Sequence, residues 1–154
     1  MDAVFNLLCR RRHHLRDKFC TGVEVMDAGF HEQFQFIGDD IVTIDQFTKQ
    51  YVNGDTTKFL APWYPNVQEI YFCLNINQHW VAVQASLVNW QFTIYDSDLS
   101  ANTDAAVEKK MAPFCNYFSG LLRTSGQFTK VNIPDVFGWR RCSKDEVPQQ
   151  SVRY

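Results

Sequence analysis

The sequence predicts an α+β domain, and three patterns carry this prediction. Three strand-like segments follow one another between residues 69 and 96. Helical periodicities precede and follow them, near residues 43–51 and 103–125. Consecutive strands with helices on either side are typical of a sheet with helices packed against it. We expect residues 1–154 to form a single domain, or a part of one, because this length suits a single core.

The composition describes a chain with a sizeable hydrophobic core and little net charge. Hydrophobic residues make up 45% of the chain, thirteen residues are Phe, and the formal net charge is −2. This composition excludes a disordered chain and gives no general attraction to nucleic acid or to anionic membrane. No apolar run approaches the length of a membrane span, and the N-terminus lacks a secretory pattern. We therefore expect neither nucleic acid nor membrane as a partner.

The cysteines are odd in number and widely spaced, at Cys9, Cys20, Cys73, Cys115 and Cys142. Without a CxxC pair they predict neither a zinc site nor a disulfide framework, so we expect no metal and no cofactor. Free thiols in a reducing compartment are the expected state. None of the five precedes a helix in the way that lowers the pKa of a thiol.

The N-terminal third predicts short helices separated by loops. Residues 2–9 carry one apolar helical face and lead into the basic run Arg10–Arg16, which suits the last turn of a helix. A nuclear-import or partner-binding patch is the alternative for this run. Glycines between residues 20 and 40 indicate loops around brief elements. A helix then begins at Thr43 as N-cap and ends near Gly54.

An extended loop follows at residues 61–66, where two prolines disfavour regular structure. The first strand, residues 69–76, alternates apolar residues on one face at Ile70, Phe72, Leu74 and Ile76.

The next two strands form a hairpin. The alternation of side chains between the two faces of each strand brings two polar residues together. His79 opens the second strand, which runs to about residue 86, and Asp96 closes the third, which starts near residue 90. A two-residue turn at Leu87-Val88 or at Val88-Asn89 matches the apolar residues across the ladder. Either register places His79 and Asp96 on the same face, directly or diagonally adjacent.

A long amphipathic helix follows the hairpin. Asn102 or Thr103 is its expected N-cap, Pro113 should kink or restart it, and Gly126 ends it. Its apolar stripe consists of Val107, Met111, Phe114, Phe118 and Leu121.

The sequence after this helix predicts one more strand and then irregular structure. Residues 128–133 form the fourth strand candidate, which ends at Pro134. The tail from Asp135 onward is expected to be loop.

The predicted His79–Asp96 pair has two interpretations. A histidine oriented by a carboxylate can activate a nucleophile, which is two-thirds of a catalytic constellation. A histidine beside an aspartate at a sheet end can also be only a satisfied polar pair. Both interpretations stay open on periodicity alone.

An ordered set of short motifs favours the catalytic interpretation. The motifs are His79-Trp80, Tyr95-Asp96-Ser97, Gly138-Trp139 and Val147-Pro148-Gln149-Gln150. In this order and spacing the chain resembles the ubiquitin-like-protein-specific, SUMO protease-like cysteine proteases, in their plant-type form. The resemblance spans nearly the whole chain and is most specific between His79 and Gln150.

The resemblance implies a papain-like fold, with a mixed sheet flanked by helices and incomplete at the C-terminus. It implies that His79 is the general base, Asp96 its orienting carboxylate and Gln150 the oxyanion-hole donor. Trp80 would contact the extended C-terminus of the substrate. The family's Asp-Cys-Gly segment would fall just beyond Tyr154, so we expect this chain by itself to be inactive. Cleavage of a SUMO fusion by the purified chain would contradict that expectation.

The implied activity is hydrolysis of the peptide or isopeptide bond after the C-terminal glycine of a SUMO-type modifier. The implied partners are that modifier and its conjugates, in the nucleus or cytoplasm. Two alternatives stay open, namely a module that binds such a modifier without cleaving it and a truncated gene product without function.

Overall fold

A computed structural model describes residues 22–26, 30, 46–54 and 62–150. The predictions for residues 2–16, for Cys9 and Cys20, for most of the loops between 20 and 40, and for the N-cap Thr43 lie outside the described residues.

A five-stranded mixed sheet is the centre of the described structure. Its order follows the sequence, from β1 to β5, with parallel pairs at both edges and antiparallel pairs in the middle. The strands are β1 (Val23–Val25), β2 (Glu69–Ile76), β3 (His79–Ser86), β4 (Gln91–Tyr95) and β5 (Gly138–Arg141). The three predicted central strands are therefore confirmed, and so is the α+β class.

A tight turn fixes where β3 begins. Ile76 pairs with His79, so only Asn77 and Gln78 connect β2 to β3. Both have positive φ, at 50° and 67°, as the turns that best match strand twist require. The Asn75 side chain accepts a hydrogen bond from the Gln78 backbone N–H at 3.1 Å. The first residue after this turn is His79.

The connection from β3 to β4 differs from the prediction in its length. Ser86 pairs with Gln91, which is the register of the Val88-Asn89 alternative. The ladder stops one pair early, however, because the Leu87 backbone N–H bonds to the Gln68 carbonyl at 2.8 Å instead of to β4. The predicted two-residue turn is therefore wrong, and four residues form the loop.

Three helices are described: α1 (Gln46–Asn53), α2 (Trp63–Asn66) and α3 (Asp104–Thr124). The single turn α2 replaces the extended loop that was predicted there; Tyr64 and Pro65 inside it have non-helical backbone angles. At its end the Val67 N–H bonds to the Trp63 carbonyl at 2.6 Å.

The long helix α3 begins as predicted but does not restart at its proline. Thr103 is the N-cap, and its hydroxyl accepts from the Ala106 N–H at 3.3 Å. Pro113 lies inside one continuous helix. The carbonyl that loses its partner belongs to Lys109, which is exposed, so water can satisfy it.

The last strand lies later in the chain than predicted. Residues 128–133 form turns and irregular backbone, although Phe128 and Ile133 are buried. The strand is instead β5, which lies parallel to β4, with Gly138 N–H donating to the Trp90 carbonyl and Cys142 N–H to the Ile94 carbonyl, both at 2.9 Å. Its sequence, Gly-Trp-Arg-Arg, has no apolar alternation, so its pairing is set by the tertiary structure.

The core lies between one face of the sheet and α3. All five residues of the predicted α3 stripe are buried there. Aromatic rings from the sheet, from α3 and from the segment before β5 meet with centroid distances between 5.1 and 6.2 Å, in a cluster of Phe72, Phe92, Phe114, Phe118 and Phe137. Close packing of this kind keeps β3 and β4 in a fixed relative position.

None of the described helices is long and apolar enough to cross a membrane.

Candidate active site

His79 and Asp96 meet at the end of the β3–β4 hairpin, as the parity of the strands predicts. The register places Asp96 diagonal to His79 on the core face of the sheet. The His79 Nε2 and Asp96 Oδ1 atoms are 2.7 Å apart. The His79 side chain is 16% exposed, so one edge of its ring remains accessible.

The Asp96 carboxylate is fully buried, with an exposed fraction of 0%. Its Oδ1 atom also accepts the Asp98 backbone N–H at 2.9 Å, and its Oδ2 atom accepts Arg141 Nη2 at 2.7 Å. Burial raises the pKa of this carboxyl, but the hydrogen bonds from Asp98, His79 and Arg141 lower it by more. The pKa of Asp96 therefore lies below its ordinary value, and the group is a carboxylate at neutral pH.

Sequence reasoning missed Arg141 altogether. It lies at the end of β5, and its side chain is only 9% exposed. Because Arg141 pairs with Ile94, it lies on the face of the sheet that also carries Asp96. The signal available in the sequence was an arginine three residues after Phe-Gly, in a segment predicted to be loop.

The tail after β5 returns to the loop that follows β4. The Gln149 side chain donates to the Asp96 backbone carbonyl at 3.1 Å and accepts from the Leu99 N–H at 3.2 Å. The Gln150 N–H donates to the Ser97 carbonyl at 2.6 Å. Gln150 is exposed, and its backbone is thereby held at the residue that follows Asp96.

The structure does not bring Trp80 to the same face as His79. Trp80 is the second residue of β3, pairs with Asn75 and is half-buried. Neighbouring residues of a strand point to opposite faces, so its ring flanks the pair from the other side of the sheet end.

The three described cysteines, Cys73, Cys115 and Cys142, are buried, and none of them forms a disulfide. Desolvation raises the pKa of the Cys115 thiol to about 12 and raises that of Cys142. Cys73 pairs with Ala82, which places it on the opposite face of the sheet from His79. None of the three therefore combines thiolate character with access to His79.

The geometry fixes which ring nitrogen of His79 is free. A carboxylate that accepts from Nε2 holds the proton of the neutral ring on that atom, so Nδ1 keeps its lone pair. Among the described residues, Nδ1 has no hydrogen-bond partner. The site can therefore accept a proton at Nδ1 and stabilise the resulting imidazolium through Asp96.

Cysteine peptidases hold their histidine with a neighbouring carboxylate or amide, and His79 and Asp96 have this geometry at the end of a mixed sheet. Residues 9–154 match the family model described as the Ulp1 protease family, C-terminal catalytic domain. The chain belongs to this family. The resemblance seen in the sequence motifs is thereby confirmed at the level of the family.

Solved structures agree in fold. The chain is similar to "SUMO protease Ulp1 with the catalytic cysteine oxidized to a sulfenic acid", with a TM-score of 0.57, 14% identity and 97% of this chain covered. The Ulp1 protease domain in complex with Smt3, the yeast ortholog of SUMO, matches with the same values. A structure described as a de-sumoylating protease matches with a TM-score of 0.53, 15% identity and 97% coverage of this chain.

The chain spans 57% of the first two of these structures and 54% of the third. No curated protein sequence matches the chain.

Proposed function

We propose that this chain is the part of a cysteine peptidase domain that activates the nucleophile, and that the domain hydrolyses bonds after the C-terminal glycine of a SUMO-type modifier. The observation that carries the proposal is the 2.7 Å contact between His79 Nε2 and a fully buried Asp96 carboxylate. A satisfied surface pair does not need a carboxylate that accepts three hydrogen bonds, or a histidine with a ring nitrogen left free.

In the proposed reaction His79 Nδ1 takes the proton of a cysteine thiol, and the sulfur attacks the carbonyl carbon of the modifier's C-terminal glycine. The C–N bond then breaks, and the leaving amine takes the proton from His79. Water hydrolyses the thioester and restores the thiol. Asp96 supports the imidazolium at each stage, because it stays ionised and keeps its hydrogen bond to Nε2.

Two further residues have proposed roles in this reaction. The exposed Gln150 side chain donates to the oxyanion as it develops on the carbonyl. Trp80 forms a wall for the extended end of the modifier, from the other side of the sheet end.

The proposed nucleophile lies outside the described residues, because the three described cysteines are buried and unsuited to the role. We infer from the family resemblance that it belongs to an Asp-Cys-Gly segment shortly after Gln150. A tail held by Gln149 and by the Gln150 N–H would deliver that segment next to His79.

The substrate class rests on the family and on the Ulp1 structure solved with Smt3. We propose the same type of partner for this chain, either as a precursor or as a conjugate. We also propose a nuclear or cytoplasmic location, which the free state of Cys73, Cys115 and Cys142 supports.

The test is a chain extended through the family's Asp-Cys-Gly segment and the helix that follows it, mixed with a SUMO C-terminal fusion. We expect cleavage after the glycine, lowered at least about a hundredfold by His79→Ala or Asp96→Asn. The matched control is Tyr95→Phe, which alters the neighbouring residue on the other face of the sheet and should leave kcat nearly unchanged.

Binding of SUMO without cleavage by the extended chain would overturn the peptidase proposal and favour a non-catalytic binding module. Cleavage that survives His79→Ala would overturn the assigned role of the pair.

A further inference from the structure

We propose that Arg141 is a positioning residue for the His79–Asp96 pair, which fixes the plane of the Asp96 carboxylate and moderates the negative charge that His79 experiences. This inference rests on the proposed function for its catalytic consequence, although its electrostatic part can be measured without catalysis.

The two oxygens of the Asp96 carboxylate bind different donors. One oxygen, Oδ1, accepts His79 Nε2 at 2.7 Å and the Asp98 N–H at 2.9 Å, whereas Oδ2 accepts Arg141 Nη2 at 2.7 Å. A carboxylate rotates about a soft single bond, so donors on one oxygen alone leave its plane poorly defined. A short charge-assisted bond to the second oxygen defines that plane, and with it the direction in which His79 is held.

The guanidinium of Arg141 is itself rigidly held by further hydrogen bonds. Its Nη1 atom donates to the Asn102 carbonyl at 3.1 Å and to Asp104 Oδ1 at 2.9 Å, and Nη2 also donates to the Leu99 carbonyl at 3.3 Å. These partners lie in the loop after Asp96 and at the first residue of α3. The guanidinium therefore ties the carboxylate to the start of a helix that is packed on the core.

The positive charge of Arg141 also acts on the Asp96 carboxylate. Arg141 is 9% exposed and Asp96 is 0% exposed, so little solvent screens their interaction. A buried aspartate without a cation would attract the proton of His79 more strongly and would hold the imidazolium longer. Arg141 offsets part of that charge, which keeps His79 able to give the proton up to a leaving group.

Among the described residues, two further carboxylates lie around the pair. Asp98 contributes its backbone N–H to Asp96, and its own carboxylate is turned to Ser100. Asp104 lies on the far side of Arg141 and is 89% exposed, so solvent weakens its effect. Arg141 is the cation that contacts Asp96 directly within the described part of the chain.

The neighbouring Arg140 provides a matched control. It belongs to the same strand, carries the same charge and forms one ion pair, with Glu146 at 2.8 Å. It is exposed, and strand alternation turns it to the opposite face from Arg141.

The first experiment follows the ring protons of His79 by NMR as a function of pH in this chain, with the signal assigned by its loss in His79→Ala. Arg141→Gln keeps a hydrogen-bond donor but removes the charge. We expect it to raise the titration midpoint of His79, because a buried positive charge that opposes the imidazolium is removed. Arg140→Gln should leave the midpoint within about 0.2 units, because solvent screens an exposed charge.

The second experiment measures kinetics in the extended chain that carries the cysteine. Arg141→Lys keeps the charge but cannot form the planar fork that spans Asp96 and Asp104. We expect kcat to fall about tenfold or more with KM within about twofold, because the pair is misaligned while substrate contacts persist.

The outcomes separate the two proposals. An unchanged His79 midpoint in a folded Arg141→Gln chain would overturn the electrostatic role, and a kcat in Arg141→Lys equal to that of the unmodified chain would overturn the positioning role. If Arg141→Gln does not fold, the kcat of Arg141→Lys decides whether Arg141 positions the pair. If no extended chain cleaves a SUMO fusion, the peptidase proposal fails, and the NMR measurement still tests Arg141.

Discussion

The two faces of the sheet each carry a polar cluster, and the clusters differ in charge and burial. On the core face, His79, Asp96 and Arg141 form a charged cluster with a fully buried carboxylate. On the opposite face, Tyr95 donates to Gln84, Gln84 donates to Tyr71, and Tyr71 donates to Glu69, at 2.9 to 3.0 Å. We call these the charged triad and the tyrosine chain.

Consecutive residues alternate between the two clusters. Tyr95 belongs to the tyrosine chain, and Asp96, the next residue, belongs to the charged triad. The tyrosine chain is half-buried and neutral except at Glu69, where it ends. Its hydrogen bonds replace bonds to water at small net gain, whereas the charged triad is stable only while all its partners are present. The tyrosine chain therefore stabilises the sheet modestly, whereas the charged triad holds charges in a defined geometry.

The largest expected effect comes from removing Asp96. Asp96→Ala leaves Arg141 buried without its main counter-charge, so we expect a loss of about 3–5 kcal/mol in the free energy of unfolding. Tyr95→Phe should cost only about 1 kcal/mol, since it removes one half-buried neutral hydrogen bond. Urea denaturation monitored by tryptophan fluorescence measures both.

A further variant identifies the cause of that loss. Adding Arg141→Met to Asp96→Ala should restore part of the stability, because the unpaired charge is then gone. Equal losses for Asp96→Ala and Tyr95→Phe would contradict the distinction between the two clusters.

The next effect appears at acid pH and belongs to the charged triad. The pKa of Asp96 is lowered in the folded state, against burial, by hydrogen bonds from Asp98, His79 and Arg141. A lowered pKa contributes stability that is complete above the ordinary value of an aspartate and is lost as pH falls through the folded value. We expect the stability advantage over Asp96→Asn to shrink below about pH 4.

The measurement is the free energy of unfolding of both chains between pH 7 and pH 2.5. Asp145→Asn is the control, because this carboxylate is exposed and belongs to neither cluster. An advantage that persists undiminished at the lowest pH would show that Asp96 is not the titrating group.

The smallest effect appears at alkaline pH and belongs to the tyrosine chain. Burial and the hydrogen bond to Glu69 raise the pKa of Tyr71 to about 12. A raised pKa contributes stability that is complete below the ordinary value near 10 and is lost as pH rises towards 12. Solvent screens this half-buried group, so the loss should be the smallest of the three.

The absorbance of tyrosinate at alkaline pH, compared with Tyr71→Phe, isolates this one group among six tyrosines. Glu69→Gln should move the titration midpoint of Tyr71 downward, because the carboxylate that accepts the hydrogen bond of the Tyr71 hydroxyl is removed. An unchanged midpoint would assign the shift to burial alone.

Local pattern was sufficient to predict the half of the site that lies on the hairpin. A side-chain period of two fixed the faces of β2, β3 and β4, and the parity of His79 and Asp96 followed from it. The helix α3 was equally visible, since its buried stripe repeats at helical spacing. Only the length of the hairpin loop was wrong there, because a tertiary hydrogen bond captured Leu87.

The other half of the site depends on pairing across α3, which no local pattern encodes. Strand β5 carries two arginines and no apolar alternation, so it was predicted as loop, while the more apolar residues 128–133 were predicted as strand. Register between parallel strands joined by a long crossover is set by how the helix packs. Arg141 therefore could not be connected to Asp96 from the sequence.

The contacts of Asp96 also differ in the length of chain that each one closes. The contact with His79 spans 17 residues, whereas those with Arg141 and Gln149 span 45 and 53. The short loop closes at lower entropic cost than the long ones, which also require α3 to be in place. During synthesis from the N-terminus, the ribosome delivers the histidine and the aspartate before the helix, and the arginine and the glutamine after it. The reactive pair is thus local in sequence, whereas the contacts that align it need residues that are synthesised after α3.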